Sequence, residues 1–175
     1  NINLLATADG ALSVIDEKLI RMRSLAVQAS NGALTSTDRS FIDVEFQQMK
    51  SEITRIANVT NYNGKYLING SLSAPPEVVS DARNKTSLEA NRNSLKFHIG
   101  TNNTVANDYY YVNIASATAN SLGIGDSGVL NTATAQQAIE LIDKAITSKD
   151  TSRTFIGGLV NRLQNNIMEL QINKE

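Results

Sequence analysis

The chain has 175 residues and almost balanced charge, with 16 Lys and Arg against 17 Asp and Glu and a formal net charge of −1. This balance argues against nucleic acid or an anionic membrane as a partner, because both attract proteins with an excess of positive charge. The lack of Cys excludes disulfides, thiolate nucleophiles and thiolate metal sites.

The first 30 residues predict one long helix. They carry two interleaved series of apolar residues, each repeating every seven positions: Leu5, Leu12, Leu19 and Ala26, and Ala8, Ile15, Met22 and Ala29. Alternating spacings of three and four are typical of the buried seam of a coiled coil. The helix should end near Asn31 and Gly32, since Gly readily adopts the left-handed backbone that closes a helix.

A second helix is predicted to follow after a short connector. Thr35 or Ser36 can cap its start, and Asp38 lies in the first turn, where the helix dipole favours an anion. Its apolar seam comprises Ile42, Phe46, Met49, Ile53 and Ile56, and it should stop at the Asn-rich, Gly-terminated run NVTNYNG. The short connector predicts an antiparallel helical hairpin over residues 1–60.

Residues 61–131 differ in texture and predict loops with a small β-hairpin. LKFHIG alternates Leu95, Phe97 and Ile99, and DYYYVNI alternates Tyr110, Val112 and Ile114, with a polar spacer between them. SLGIGDSGVL is expected to be loop and short extended chain that returns to the last helix. Residues 71–94 receive no structural prediction.

The last segment, residues 132–175, predicts the longest helix. Its proposed seam comprises Ile139, Ile142, Ile146, Ile156, Val160, Leu163, Ile167 and Leu170. Lys149 and Arg153 are interpreted as a polar break, and Gly157 and Gly158 lower the local helix propensity by about 1 kcal/mol each. About 38 helical residues would span about 57 Å. We therefore expect a single, mainly α domain over residues 1–175: an elongated rod of three long antiparallel coiled-coil-like helices with a small β-hairpin.

Several runs resemble one protein family. LIRMRSLAVQASNG and TDRSFIDVEFQQMKSEITRIANVTNYNGKYL resemble the N-terminal core of bacterial flagellin, while AQQAIELIDKAI and GGLVNRLQNNIMELQ resemble its C-terminal core. LKFHIGTNN is similar to the small β-element of the same domain. The resemblance implies a secreted, extracellular structural subunit that assembles with other flagellin subunits into the flagellar filament. The alternative is the related hook–filament junction protein.

The resemblance has two further implications. The chain should be the inner core domain without the two terminal tail helices, and it should be monomeric by itself. It should also be a ligand of the flagellin-sensing Toll-like receptor of vertebrates, with Arg21, Leu25, Gln28 and Glu45 as the receptor-binding residues. Heptad spacing independently puts Arg21 and Gln28 at one position outside the seam, beside Leu25. Ser24 stands where the family often has Glu, and filament packing is the alternative role for these residues.

An enzyme is not expected. The one histidine, His98, lies in a strand pattern without a second His or a zinc motif, so neither a metal nor a cofactor is predicted. Glu45 and Glu52 lie seven residues apart on one helix face, a spacing that is typical of a solvated or subunit-facing edge. The glycine pair in GIG, at residues 123–125, lacks the strand–helix context of a phosphate loop. No nucleic acid and no membrane partner are expected.

Overall fold

A computed structural model of the chain describes residues 2–73, 77–80, 86–89, 94–98 and 109–172. Its helices are α1 (Ile2–Ala29), α2 (Ser36–Val59) and α3 (Thr132–Ile172). Within the described ranges the strands form three antiparallel pairs: β1 (Asn61–Tyr62) with β2 (Lys65–Tyr66), β3 (Glu77–Ser80) with β4 (Thr86–Glu89), and β5 (Leu95–His98) with β6 (Tyr109–Val112). The prediction of a mainly α fold with three long helices is confirmed.

The central helix is α1, which packs against both α2 and α3. Arg21 of α1 contacts Glu45 of α2, so the hairpin is antiparallel. Along the other flank, Asp9 meets Arg153 and Arg23 meets Asp143, so residue numbers rise on α1 as they fall on α3. Both neighbours therefore run antiparallel to α1. The 41 residues of α3 span about 60 Å, which fits a rod.

The buried stripe of α1 is the one that the sequence predicts. All eight seam residues are 1% exposed or less: Leu5, Ala8, Leu12, Ile15, Leu19, Met22, Ala26 and Ala29. On α2, Phe46, Ile53 and Ile56 are buried as predicted, whereas Ile42 and Met49 are half-buried.

The seam predicted for α3 is confirmed in part, since Ile142, Ile156 and Leu163 are buried. Ile139, Ile146 and Val160 are only half-buried and Ile167 is exposed, while the side chain of Leu170 lies outside the described set. The prediction followed the bulkiest residues and missed the small buried side chains. The buried positions are Ala135, Ala138, Ile142, Ala145, Lys149, Ile156, Leu159 and Leu163.

Lys149 is not part of a polar break. The helix continues through it, and only 2% of the residue is exposed in the middle of the apolar seam. Its ammonium contacts the carboxylates of Asp16 on α1 and Asp150 on α3. A buried charge is tolerable only when opposite charges compensate for the lost hydration, and these two carboxylates do so.

Side-chain caps define the helix ends. At the start of α2, Asp38 N donates to Thr35 Oγ1 (3.2 Å) and Thr35 N donates to Asp38 Oδ2 (3.0 Å), which confirms the predicted cap. A similar exchange joins Asn131 and Thr134 before α3 and was not predicted. At the end of α1, the prediction of a left-handed backbone at Gly32 is wrong, because Gly32 does not have a positive φ.

The carbonyls at the end of α1 are satisfied in another way. The guanidinium of Arg39, from the first turn of α2, donates to Ala29 O (2.9 Å) and Asn31 O (2.8 Å). An orphan carbonyl at a helix end needs such a donor, and a positive charge is also favourable there. The connector between α1 and α2 is therefore fastened by a long side chain.

The run NVTNYNG contains more than a helix stop. After α2 ends, β1 and β2 form a tight hairpin whose two central residues, Asn63 (φ 50°) and Gly64 (φ 77°), both have positive φ. Asn-Gly is the preferred pair for such two-residue turns, because Gly adopts this backbone without strain and Asn tolerates it.

The predicted hairpin of β5 and β6 is confirmed, with Leu95 opposite Val112 and Phe97 opposite Tyr110. Ile99 and the side chain of Tyr110 lie outside the described set. In the stretch without a prediction, β3 and β4 pair in a register that sets Val78 opposite Leu88.

The return segment, residues 113–131, follows α2 and is irregular, as predicted. Asp43 Oδ1 accepts a hydrogen bond from Val129 N (2.8 Å), and Ser127 O accepts one from Lys50 Nζ (2.8 Å). Partial burial under this segment lowers the pKa of Lys50. Apolar side chains of the segment, including Ile114, Ala117, Leu122, Ile124 and Val129, are buried. Polar groups of α2 thus hold an irregular chain against the core.

None of the described helices is both long and apolar enough to cross a bilayer.

Candidate recognition and assembly surface

The helical hairpin brings together two residues of the predicted receptor site. Arg21 Nε on α1 donates to Glu45 Oε1 on α2 over 2.8 Å, although the residues are 24 apart in sequence. Their side chains remain 52% and 39% exposed. The hydrogen bond to Glu45, and then the charge of Glu45, raise the pKa of Arg21. The two groups form a charged, open feature across the α1–α2 groove.

The other two predicted receptor residues have different environments. Gln28 is exposed on the same helix, two turns beyond Arg21. Leu25 is only 2% exposed and belongs to the hydrophobic core. The accessible part of the predicted site therefore consists of Arg21, Gln28 and Glu45, with Leu25 beneath it.

Arg23 contacts the other flank of α1. Its Nε donates to Asp143 Oδ1 on α3 over 2.7 Å, and this hydrogen bond lowers the pKa of Asp143. Ser24, which follows Arg23 in the chain, is exposed. Because Arg21 and Arg23 each face a carboxylate on a different helix, they are not one basic patch.

The carboxylates that share one face of α2 both have arginine partners. Glu45 contacts Arg21, and Glu52 forms a bidentate pair with Arg55 at 2.6 and 2.8 Å. The hydrogen bonds from Arg55 lower the pKa of Glu52. Each carboxylate therefore serves an ion pair, and their arrangement is not that of a catalytic acid and base.

His98 has an aromatic environment. Its ring stacks on Tyr109, with centroids 5.9 Å apart and planes inclined by 21°. Lys96 Nζ lies 3.7 Å from the centroid of the same tyrosine ring. Within the described ranges, no cluster of three acidic or histidine side chains could hold a metal ion.

The outer face of α2 carries apolar residues that the sequence analysis missed. Phe41 is 71% exposed and Val44 is 57% exposed, and their spacing of three makes them neighbours on the helix surface. Ile20 and Val27 are likewise exposed on α1. The available signal was their position outside the seam of their own helix. Adjacent exposed apolar side chains of this size favour an interaction surface.

Comparison with known proteins gives a consistent result. The model for the bacterial flagellin N-terminal helical region matches residues 1–73. Flagellin of Listeria monocytogenes serovar 1/2a is 31% identical over 173 residues, which cover 95% of this chain and 55% of that protein. The chain thus spans about half the length of this curated relative.

Two solved structures are similar to the whole fold. The flagellin of Bacillus cereus superposes with a TM-score of 0.72 at 30% identity, covering 96% of this chain and 84% of that one. A putative flagellar hook-associated protein from Vibrio parahaemolyticus gives a TM-score of 0.70 at 20% identity, covering 99% of this chain and 81% of that one. The second likeness concerns the fold alone.

Proposed function

The chain belongs to the bacterial flagellin family, and on that premise we propose that it is the core of a structural subunit that polymerises into the extracellular filament of the bacterial flagellum. Membership of this family also identifies it as a structural protein and not an enzyme. The observation that carries the proposal is the 30% identity with Bacillus cereus flagellin over 84% of that structure. The lower identity with the hook-associated protein, 20%, favours the filament over the hook–filament junction.

Features of the surface support self-assembly. A polymer subunit needs patches that are open in the free chain and covered by neighbouring copies. Phe41 and Val44 on α2 form such a patch, and Ile20 and Val27 on α1 add exposed apolar area. Their burial between copies would gain free energy in proportion to the apolar area removed from water.

Phe41 allows a direct test in the complete protein that the gene encodes. We expect Phe41→Asp to reduce the amount of sedimentable filament at least tenfold, because it would introduce a charge into an apolar contact. Phe41→Leu is the matched control, which keeps an apolar side chain on the same helix turn. Both variants should retain wild-type helix content by circular dichroism. Unimpaired polymerisation of Phe41→Asp would remove α2 from the subunit contact, and failure of the wild type to polymerise would overturn the proposed function.

We further propose that the chain is a ligand of the vertebrate flagellin-sensing Toll-like receptor, through Arg21, Gln28 and Glu45. The supporting observation is the Arg21–Glu45 pair, which holds a guanidinium in place on an open surface. Arginines that are presented in this way are enriched among the residues that dominate binding energy. Leu25 would act from beneath, by supporting the α1 backbone.

A titration against the receptor ectodomain tests this second role. Arg21→Ala should weaken binding about tenfold or more, as truncation of a dominant interface residue does. Gln28→Ala and Glu45→Ala should have smaller effects. Leu25→Ala separates support from contact, because it should lower thermal stability while the other variants do not. Wild-type affinity of all folded variants would leave these residues with a packing role only.

A further inference from the structure

The contact between α1 and α3 presents a problem of register. The α1 seam repeats every seven residues with apolar side chains that range from Ala to Leu and Met, from Leu5 to Ala29. The α3 seam has the same period, since Ala135, Ile142, Lys149, Ile156 and Leu163 also lie seven apart. Two such stripes can pack in almost the same way after a shift of one heptad, about 10 Å along the axis. Apolar burial alone therefore discriminates poorly between registers.

The charges beside this seam do not repeat in the same way. On α1, Asp9, Asp16 and Arg23 occupy one heptad position, in the order negative, negative, positive. Their α3 partners carry the complementary charges. The contacts are Asp9 with Arg153 (2.8 Å), Asp16 with the buried Lys149, and Arg23 with Asp143 (2.7 Å).

Each one-heptad shift would bring like charges together. If Lys149 moved opposite Asp9, Asp143 would face Asp16. If Lys149 moved the other way, it would face Arg23 and lose Asp16, leaving a buried ammonium beside a second cation. Contact between like charges is costly, and so is a buried charge that has lost one of its two compensating carboxylates, here Asp16, and keeps only Asp150. We propose that this order of charges fixes the register of α3 on α1, with Lys149 as the central positioning residue. The proposal does not depend on the proposed function.

One double substitution separates charge order from the number of ion pairs. Arg23→Asp with Asp143→Arg keeps every native pair but makes the three α1 positions all negative and their three α3 partners all positive. Asp150, which contacts Lys149 from α3 itself, is the same in every variant. Both shifted registers then bring only opposite charges together. The matched control, Asp9→Arg with Arg153→Asp, also keeps every native pair. In that control each shift still meets like charges, at Lys149 and at Asp16.

Register can be read as a distance between two spin labels. Because the chain has no Cys, labels attached to Ser24→Cys and Gln164→Cys, both exposed positions, are unique. The Arg23–Asp143 contact fixes which residue of α3 lies level with the label at position 24. From the helix rise per residue, the two labels are about 35 Å apart in the native register, and one-heptad shifts give about 25 Å or 45 Å. Pulsed electron–electron double resonance resolves these distances in frozen solution.

We expect one distance near 35 Å for the wild type and for the control, and additional populations at the shifted distances for Arg23→Asp/Asp143→Arg. If that variant does not fold, Arg23→Gln/Asp143→Asn takes its place, because it also removes the like-charge contacts of both shifts. A single native distance in the folded variant would overturn the proposal and assign the register to the chain connections. Shifted populations in the control would overturn it as well.

Discussion

The two flanks of α1 are specified in different ways. On the α2 side, a connector of only a few residues forces the helices to be antiparallel neighbours, and the Thr35–Asp38 and Arg39 contacts fasten that connector. The ion pair across this groove, Arg21–Glu45, is open to solvent. On the α3 side, the partners of two ion pairs lie 120 and 144 residues apart, and a third pair joins Asp16 to the buried Lys149. Since no short connector forces α3 against α1, side-chain interactions must specify that contact.

The largest effect should come from breaking the α3 flank at its apolar centre. Ile142 is fully buried, so Ile142→Asp should destabilise the protein by about 4 kcal/mol or more, through a lost apolar side chain and a buried unpaired charge. Urea unfolding followed by circular dichroism measures this. Phe41→Asp, the same charge at an exposed site of α2, should leave the midpoint almost unchanged. Equal midpoints for Ile142→Asp and wild type would refute the role of α3 in the core.

The next effect concerns the buried charge. Asp16→Ala should cost about 2–3 kcal/mol, because it leaves Lys149 with Asp150 as its remaining carboxylate contact. Lys149→Met should be neutral or stabilising, since it removes the charge and keeps an unbranched apolar chain of similar length. Chemical denaturation of both variants tests the pair. A strongly destabilised Lys149→Met would mean that the ammonium contributes net stability.

A smaller effect is expected at the connector on the α2 side. Thr35→Ala should cost about 1 kcal/mol, the usual worth of a helix cap. The hydrogen bonds from Thr35 lower the pKa of Asp38 in the folded state. Asp38 therefore stabilises the fold above its unfolded pKa, and this contribution is lost as the pH falls through the folded value.

Asp38→Asn provides the matched measurement. Its stability deficit relative to wild type should be fully developed at neutral pH and should shrink as acid protonates the wild-type carboxyl. Thermal melts between about pH 2 and pH 7 follow that change, within the range where carboxyls titrate. A deficit independent of pH would show that the ionised form of Asp38 is not what caps α2.

The smallest effect on stability should come from the open pair. Arg21→Ala removes an ion pair whose groups are about half exposed, and such pairs contribute little to folding. The melting temperature should change by no more than a degree or two. Its effect on receptor binding, proposed above, should be far larger than its effect on stability. A strong loss of stability would place Arg21 among the structural residues.

The difference between the flanks also decides what the sequence could predict. All eight predicted seam positions of α1 are buried, because five of them carry Leu, Ile or Met and set the phase for the three alanines. The α3 stripe was predicted only in part, because it also contains Ala135, Ala138, Ala145 and a lysine, while bulkier Ile139 and Ile146 lie at its edge. Helical periodicity weighted by size shifts the predicted stripe towards its edge where the buried side chains are small.

The candidate surface was likewise predictable in some residues and not in others. Heptad spacing placed Arg21, Gln28 and Glu45 outside the seams, and the structure brings Arg21 and Glu45 together. Heptad spacing put Leu25 on the flank of the α1 seam, beside Arg21, and the structure buries it, since a small rotation decides burial at the border of the stripe. Contacts such as Ser127 O with Lys50 join a backbone atom to a side chain 77 residues away, and no local pattern encodes them.

The large sequence separation between α1 and α3 has a consequence for the order of events during synthesis. The ribosome makes α1 and α2 first, and 102 residues separate the end of α1 at Ala29 from the start of α3 at Thr132. At about 5–20 residues per second, these residues alone take roughly 5–20 s to synthesise, so the leucine-rich stripe of α1 stays uncovered on that side for at least that time. During that interval the stripe is an exposed apolar surface on the nascent chain, and a chaperone that binds there must leave before α3 can dock.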